Sequence, residues 1–230
     1  MKTEQYFEIL LRFIFFMKKL LFFLMPVVFA FSSCARIVIS AYGLNRTYTI
    51  VSQDNIESLA KQHNIPLSDW FELDILYDYF IRSQDIEIHF RSMNNHLQML
   101  QALYFDKKGN LVSFHITCYA DGFPNLRWNR GGVLNTFVPE TRASTDTFLT
   151  FDKLLPFLNK TSHTKEIVQS DYDYIVVVFW ADVMGRQNRR FIRFIQQNVA
   201  LAQENQRVRI IYVNQDNFML QLTRSRQMQE

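Results

Sequence analysis

Cysteine, glycine and proline are scarce in this chain, at two, six and five among 230 residues. Each shortage excludes a chemistry. Cys34 and Cys118 stand far apart, so there is no paired-thiol motif and no cysteine–histidine spacing of a structural zinc site. The scattered glycines build neither a phosphate-binding loop nor a nucleophile elbow. An excess of one charge is also lacking. The chain has 25 Lys and Arg against 22 Asp and Glu, and no basic run interleaved with aromatics suggests nucleic acid. What is plentiful is apolar surface. With 48% apolar and 15% aromatic residues, the chain can form one large domain or two small ones.

Part of that apolar content lies at the start. Residues 1–33 hold eight of the 22 Phe residues, and Leu20 to Phe31 is apolar throughout, with Lys18-Lys19 before it and Ser32-Ser33-Cys34 after it. A basic n-region, a short apolar core and small residues ahead of a cut point describe an export signal. As a helix the run spans about 18 Å, short of a hydrocarbon core of roughly 30 Å. Residues 1–33 are therefore expected to be a signal peptide, with Met17 an alternative start. Phe31-Ser32-Ser33-Cys34 resembles the lipobox of bacterial lipoproteins. That resemblance implies lipid on the Cys34 sulfur, Cys34 as the mature N-terminus, and membrane attachment through acyl chains such as palmitate. Ala35-Arg36 lacks the aspartate associated with inner-membrane retention, so the expected location is the outer membrane, facing the periplasm. An uncleaved membrane anchor, extended by Ile9–Phe16, is the alternative. The prefix carries four basic and two acidic residues, which leaves 21 against 20 in the mature chain. With Cys34 lipidated, Cys118 is the one remaining thiol and an internal disulfide is excluded.

The polar run after Pro139 divides the mature chain into an N-terminal α+β region, 34–145, and a second region, 146–230. In the first, Ser52 or Asp54 caps a helix through Ile56, Leu59 and Ala60. The spacing of Trp70, Leu73, Leu76, Tyr77 and Phe80 predicts a second helix after Pro66. Three strand-like segments follow. Ile86, Ile88 and Phe90 alternate with Glu87 and His89. Residues 97–105 and 111–118 flank Asp106-Lys107-Lys108-Gly109-Asn110, a hairpin turn. In the second arm Val112, Phe114, Ile116 and Cys118 share one face, which predicts a buried, unreactive thiol. A redox or dimer-linking Cys118 is the alternative. Ser113, His115 and Thr117 share the other, solvent-facing side. His89, His115 and Glu87 would form a metal or acid–base site only if their strands pair. Trp128 is expected to pack onto its own domain.

In the second region Phe151, Leu154, Leu155, Phe157 and Leu158 suggest a short helix interrupted by Pro156. Ile175 to Phe179 reads as a fully buried strand, because no polar residue interrupts it. Trp180-Ala181-Asp182 leaves the sheet, Gly185 supplies a turn, and a helix from about Arg186 to Glu204 carries Phe191, Ile195 and Val199. Arg186, Arg189, Arg190 and Arg193 give that helix a basic face, either simply solvated or meeting an acidic partner or anionic headgroups. Val208 to Val213 forms a second buried strand, and so long a crossover implies a parallel pair. The polar tail from Leu222 is expected to fray. The expected class is α/β, with α+β the alternative: a C-terminal βαβ unit preceded by a helix pair and an antiparallel hairpin.

Val178-Phe179-Trp180-Ala181-Asp182-Val183-Met184-Gly185-Arg186-Gln187 resembles the thioredoxin active-site segment, F-W-A-x-x-C-G-x-C. Val213-Asn214-Gln215-Asp216 resembles the V-x-x-D ending of the next thioredoxin strand. The likeness covers residues 172–217. It implies a thioredoxin-like unit in which Met184 and Gln187 stand at the two cysteine positions and Arg186 at that of proline. A thioether and an amide cannot carry thiol–disulfide exchange. The chain beyond Asn217 also lacks room for the family's later helix, cis-proline strand and closing hairpin, leaving the 97–118 hairpin to complete the sheet. The expectation is thus a non-catalytic thioredoxin-like envelope lipoprotein, a binding or scaffold module with a protein partner in the envelope. Its contact loop would comprise Trp180, Ala181, Asp182, Met184, Gly185, Arg186 and Gln187, with no cofactor, metal or nucleic acid. The alternatives are a thiol–disulfide oxidoreductase-related protein using a partner's thiols, and a membrane-anchored periplasmic domain of unrelated function.

Overall fold

The computed structural model describes residues 51–84, 94–122 and 126–227. Ser52 starts helix α1, Gln53–Gln62, its hydroxyl accepting from the Asn55 amide at 3.4 Å. The next expectation needs correction. Trp70–Leu73 is a strand, β1, and helix α2, Leu76–Arg82, begins only after Asp74, whose carboxylate accepts from the Leu76 amide at 2.8 Å. The helical spacing of apolar residues ran across two elements. Trp70 and Phe71 are both fully buried, on opposite faces of the sheet, so β1 shows no alternation that would reveal a strand.

The hairpin forms as expected, from β2, Gln101–Asp106, and β3, Leu111–Ile116. Asp106 Oδ1 accepts from the amides of Lys108 and Asn110, both at 2.9 Å, and Gly109 takes φ +79°. β3 stops at Ile116. Thr117–Tyr119 then curl into a 3₁₀ turn that carries Cys118 to the surface, which overturns its expected burial. Val112 is exposed, while Ser113 and His115 lie inside, so His115 does not face solvent either.

Phe151–Leu154 is a single helical turn that tightens around Pro156 and opens into a short strand, β4, Leu158–Lys160. Strand β5, Tyr174–Trp180, helix α3, Gly185–Val199, and strand β6, Val208–Asn214, form the expected unit with β5 and β6 parallel. The tail does not fray at Leu222. Asp216–Gln227 is helix α4, with Phe218 and Leu222, four residues apart, buried against the sheet. A helix therefore does follow the second parallel strand.

The six strands form one mixed sheet in the order β3-β2-β5-β6-β1-β4. β5 pairs antiparallel with β2 and parallel with β6; β1 pairs parallel with β6 and antiparallel with β4. Strands from before and after residue 145 thus share one sheet. Ile175, Val177 and Phe179 pack with α2 and α4 on one face, and Val176, Val178 and Trp180 with α1 and α3 on the other. This double cover explains the unbroken apolar run of β5. Among the described residues no helix is long and apolar enough to cross a membrane. The expected signal peptide, Cys34 and the strand expected at Ile86–Phe90, with Glu87 and His89, lie outside the described residues.

Candidate functional site

Because β5 and β6 are parallel, their carboxyl ends share one edge of the sheet. Beyond Trp180 the chain forms a 3₁₀ turn, Asp182–Met184, and Gly185 enters α3 at φ +47°, ψ −121°, a conformation that favours glycine. Asp216 anchors this loop. Its two carboxylate oxygens accept from the Asp182 amide at 2.9 and 3.0 Å, and the Asn214 side chain donates to it at 2.7 Å. The Gln215 amide donates to the Trp180 carbonyl at 2.9 Å. The loops after β5 and β6 are therefore tied together. Burial raises the Asp216 pKa, opposed by the Asp182 amide and the Asn214 side chain, while the Asp182 charge adds to the rise.

On the α1–α3 side, His63 ends α1 beneath the same loop. Its Nε2 lies 3.0 Å from Asn188 Nδ2, and its ring meets Trp180 edge-on at 5.7 Å. Burial lowers the His63 pKa; the Arg189 charge lowers it further and Asp182 opposes both. The ring is thus neutral near pH 7, and an Asn188 amide donating to Nε2 places its proton on Nδ1. Sequence reading missed His63, because a residue closing a helix belongs to no periodic stripe. It also missed a second buried pair on the opposite face. His96 Nε2 lies 2.7 Å from Asp146 Oδ2, with the His96 ring stacked on Phe114 at 4.6 Å. The partners are fifty positions apart in sequence, so no local motif announces them.

The structure divides the expected contact loop. Trp180 and Ala181 are fully buried, and Met184 and Gln187 are 8% and 3% exposed. Asp182 and Gly185 are half-buried, and of these loop residues Arg186 alone is exposed. His115, raised as a metal or acid–base candidate, lies 3.3 Å from Ser113 Oγ, its pKa pushed down to about 4 by burial and by Arg142. Trp128 packs on Phe191 at 4.2 Å, within its own domain. The Cys118 thiol donates to Gln98 Oε1 at 3.2 Å, and the Gln98 carbonyl accepts from Gln215 Nε2 at 3.2 Å. The exposed thiol therefore stands one residue from the loop after β6.

The class defined is a mixed α/β protein whose sheet, covered on both faces, ties two loops together at the carboxyl edge of a parallel strand pair. Comparison with family models, curated proteins and solved structures finds no match.

Proposed function

We propose that the chain is a non-catalytic, thioredoxin-like lipoprotein of the bacterial envelope, attached through Cys34 and facing the periplasm from the outer membrane. It acts there as a binding or scaffold module. The observation that carries this reading is the identity and burial of Met184 and Gln187. Exchange chemistry needs a thiolate that a partner disulfide can reach. At these positions the chain places a thioether and a carboxamide, both packed inside. The framework around them supports the likeness: β5, Trp180-Ala181, Gly185 at positive φ, α3 and the parallel β6. The β2–β3 hairpin extends the sheet on the other side of β5. Of the loop residues, Arg186 is the exposed one that a partner would meet first.

An insulin-reduction assay tests the missing chemistry; the expected rate equals background, and turnover above it refutes the reading. Palmitate labelling tests the anchor, with incorporation expected in the wild type and lost in Cys34→Ala. One observation favours a second reading, in which the chain works with a partner's thiols: Cys118 is exposed. A mixed disulfide trapped from envelope extract and lost in Cys118→Ser is the result that reading requires.

A further inference from the structure

Helix α3 carries four arginines and no acidic residue. Arg186, Arg189 and Arg193 are exposed. Spaced at i, i+3 and i+7, they run along one flank for about 10 Å of helix. Among the described residues none of these three forms an ion pair. Helix stability does not explain Arg186, because a cation in the first turn opposes the macrodipole; Arg193 lies over the Phe194 ring at 5.8 Å. Their exposed side chains bury no core.

The expected anchor at Cys34 supplies the occupant. Val51 is held by Asn217, which accepts from its amide at 3.1 Å and donates to its carbonyl at 3.2 Å. Asn217 follows Asp216, whose carboxylate fastens the Asp182 turn. Val51 therefore lies at the same sheet edge from which α3 starts. Cys34 and Val51 are seventeen residues apart, a reach of at most about 60 Å. A membrane attachment at Cys34 would hold the domain within that reach of lipid, so that a charged face such as the α3 flank can meet the headgroups.

We infer that the arginine flank of α3 docks the domain onto anionic phospholipid headgroups of the membrane that holds its N-terminus. This rests on the membrane-anchored reading above. Each arginine near an anionic leaflet strengthens association about fivefold, so the three together amount to about a hundredfold. The contact is electrostatic and weakens as salt shortens the screening length.

The test uses the full, lipidated chain in proteoliposomes, with a donor dye on Cys118, the thiol left free by lipidation, and an acceptor dye on the lipid. Energy transfer is compared between vesicles of zwitterionic lipid alone and vesicles in which a third of the lipid is phosphatidylglycerol. Transfer rises with phosphatidylglycerol, and the rise disappears at about 1 M salt, where screening acts within about 3 Å. It is abolished in R186Q/R189Q/R193Q and retained in R186K/R189K/R193K, with unchanged thermal unfolding in both. Equal transfer in the two lipids, or an undiminished rise in the glutamine variant, overturns the inference; an acidic protein partner is then the remaining use of the flank. Failure of the anchor looks different: the protein leaves zwitterionic vesicles altogether, and dye labels both Cys34 and Cys118.

Discussion

Replacing Asp216 should loosen the edge that joins the two parallel strands. Its carboxylate is 5% exposed and accepts from the Asp182 amide and the Asn214 side chain. A hydrogen bond to a charged acceptor contributes about 1.5–3 kcal/mol. Water can reach half-buried Asp182 and replace part of its bond, so Asp216→Ala should cost about 3 kcal/mol. Asp216→Asn keeps one carbonyl for the Asp182 amide but turns an NH₂ group towards the Asn214 donor. Asn214 cannot simply rotate to suit, because its Oδ1 accepts from the residue 216 amide at 3.0 Å. That variant should lose about 1–2 kcal/mol. The pH dependence has a definite sign. An acid whose pKa is raised on folding holds its proton more tightly in the folded state, so its share of stability grows as pH falls towards the ordinary aspartate value of 3.8. The gap between wild type and Asp216→Asn should therefore widen on acidification. Urea unfolding at two pH values measures it, and amide exchange at Asp182–Met184 reports the local opening. An Asp216→Ala protein within about 0.5 kcal/mol of wild type, with unchanged exchange in that turn, refutes the proposed tie between the loops.

Three further outcomes are expected. His115 stays neutral in the fold down to about pH 4, whereas the unfolded ring takes its proton near 6.5; acidification through that window should remove up to about 3 kcal/mol, and His115→Gln should flatten that part of the pH–stability curve. Asn198 donates to the carbonyls of Leu134 and Thr136 at 2.9 and 2.8 Å and accepts from the Tyr104 hydroxyl at 3.0 Å. Asn198→Ala strands two buried groups, the Leu134 carbonyl and the Tyr104 hydroxyl, and should cost about 2–4 kcal/mol in chemical denaturation. Cys118 should react with a thiol reagent in the native protein at a rate that denaturant barely changes; strong protection would restore a buried thiol.

Elements with strong local signals were legible in the sequence. Ser52 marked the start of α1, Asp106 to Asn110 marked the hairpin, and the uninterrupted run of β5 identified a strand covered on both faces. β1 was not legible, because Trp70, Leu73, Leu76, Tyr77 and Phe80 keep a helical spacing while only the last three occupy a helix. The break was written in Asp74, a side-chain cap hidden inside the stripe. Helix α4 escaped notice because just a few apolar side chains, Phe218 and Leu222 among them, hold an otherwise polar segment to the core. Extending the β3 alternation past Ile116 misplaced Cys118, since a two-residue period predicts faces only while the chain remains a strand. At the candidate site the loop was legible from its own residues. Its supports, His63 and Asn188, come from elements brought together by the fold.

The strand order has a consequence for the time at which the fold can form. Trp70 of β1 lies beside Tyr212 of β6, 212 − 70 = 142 positions later, and Gln101 of β2 lies beside Phe179 of β5, 78 positions later. Among the strand pairs of the described residues, only the β2–β3 hairpin closes locally. Long-range pairing is slow because loop closure precedes its reward. A growing polypeptide would thus hold β2 without its inner partner until Trp180, and β1 without its inner partner until Asn214, had been synthesised.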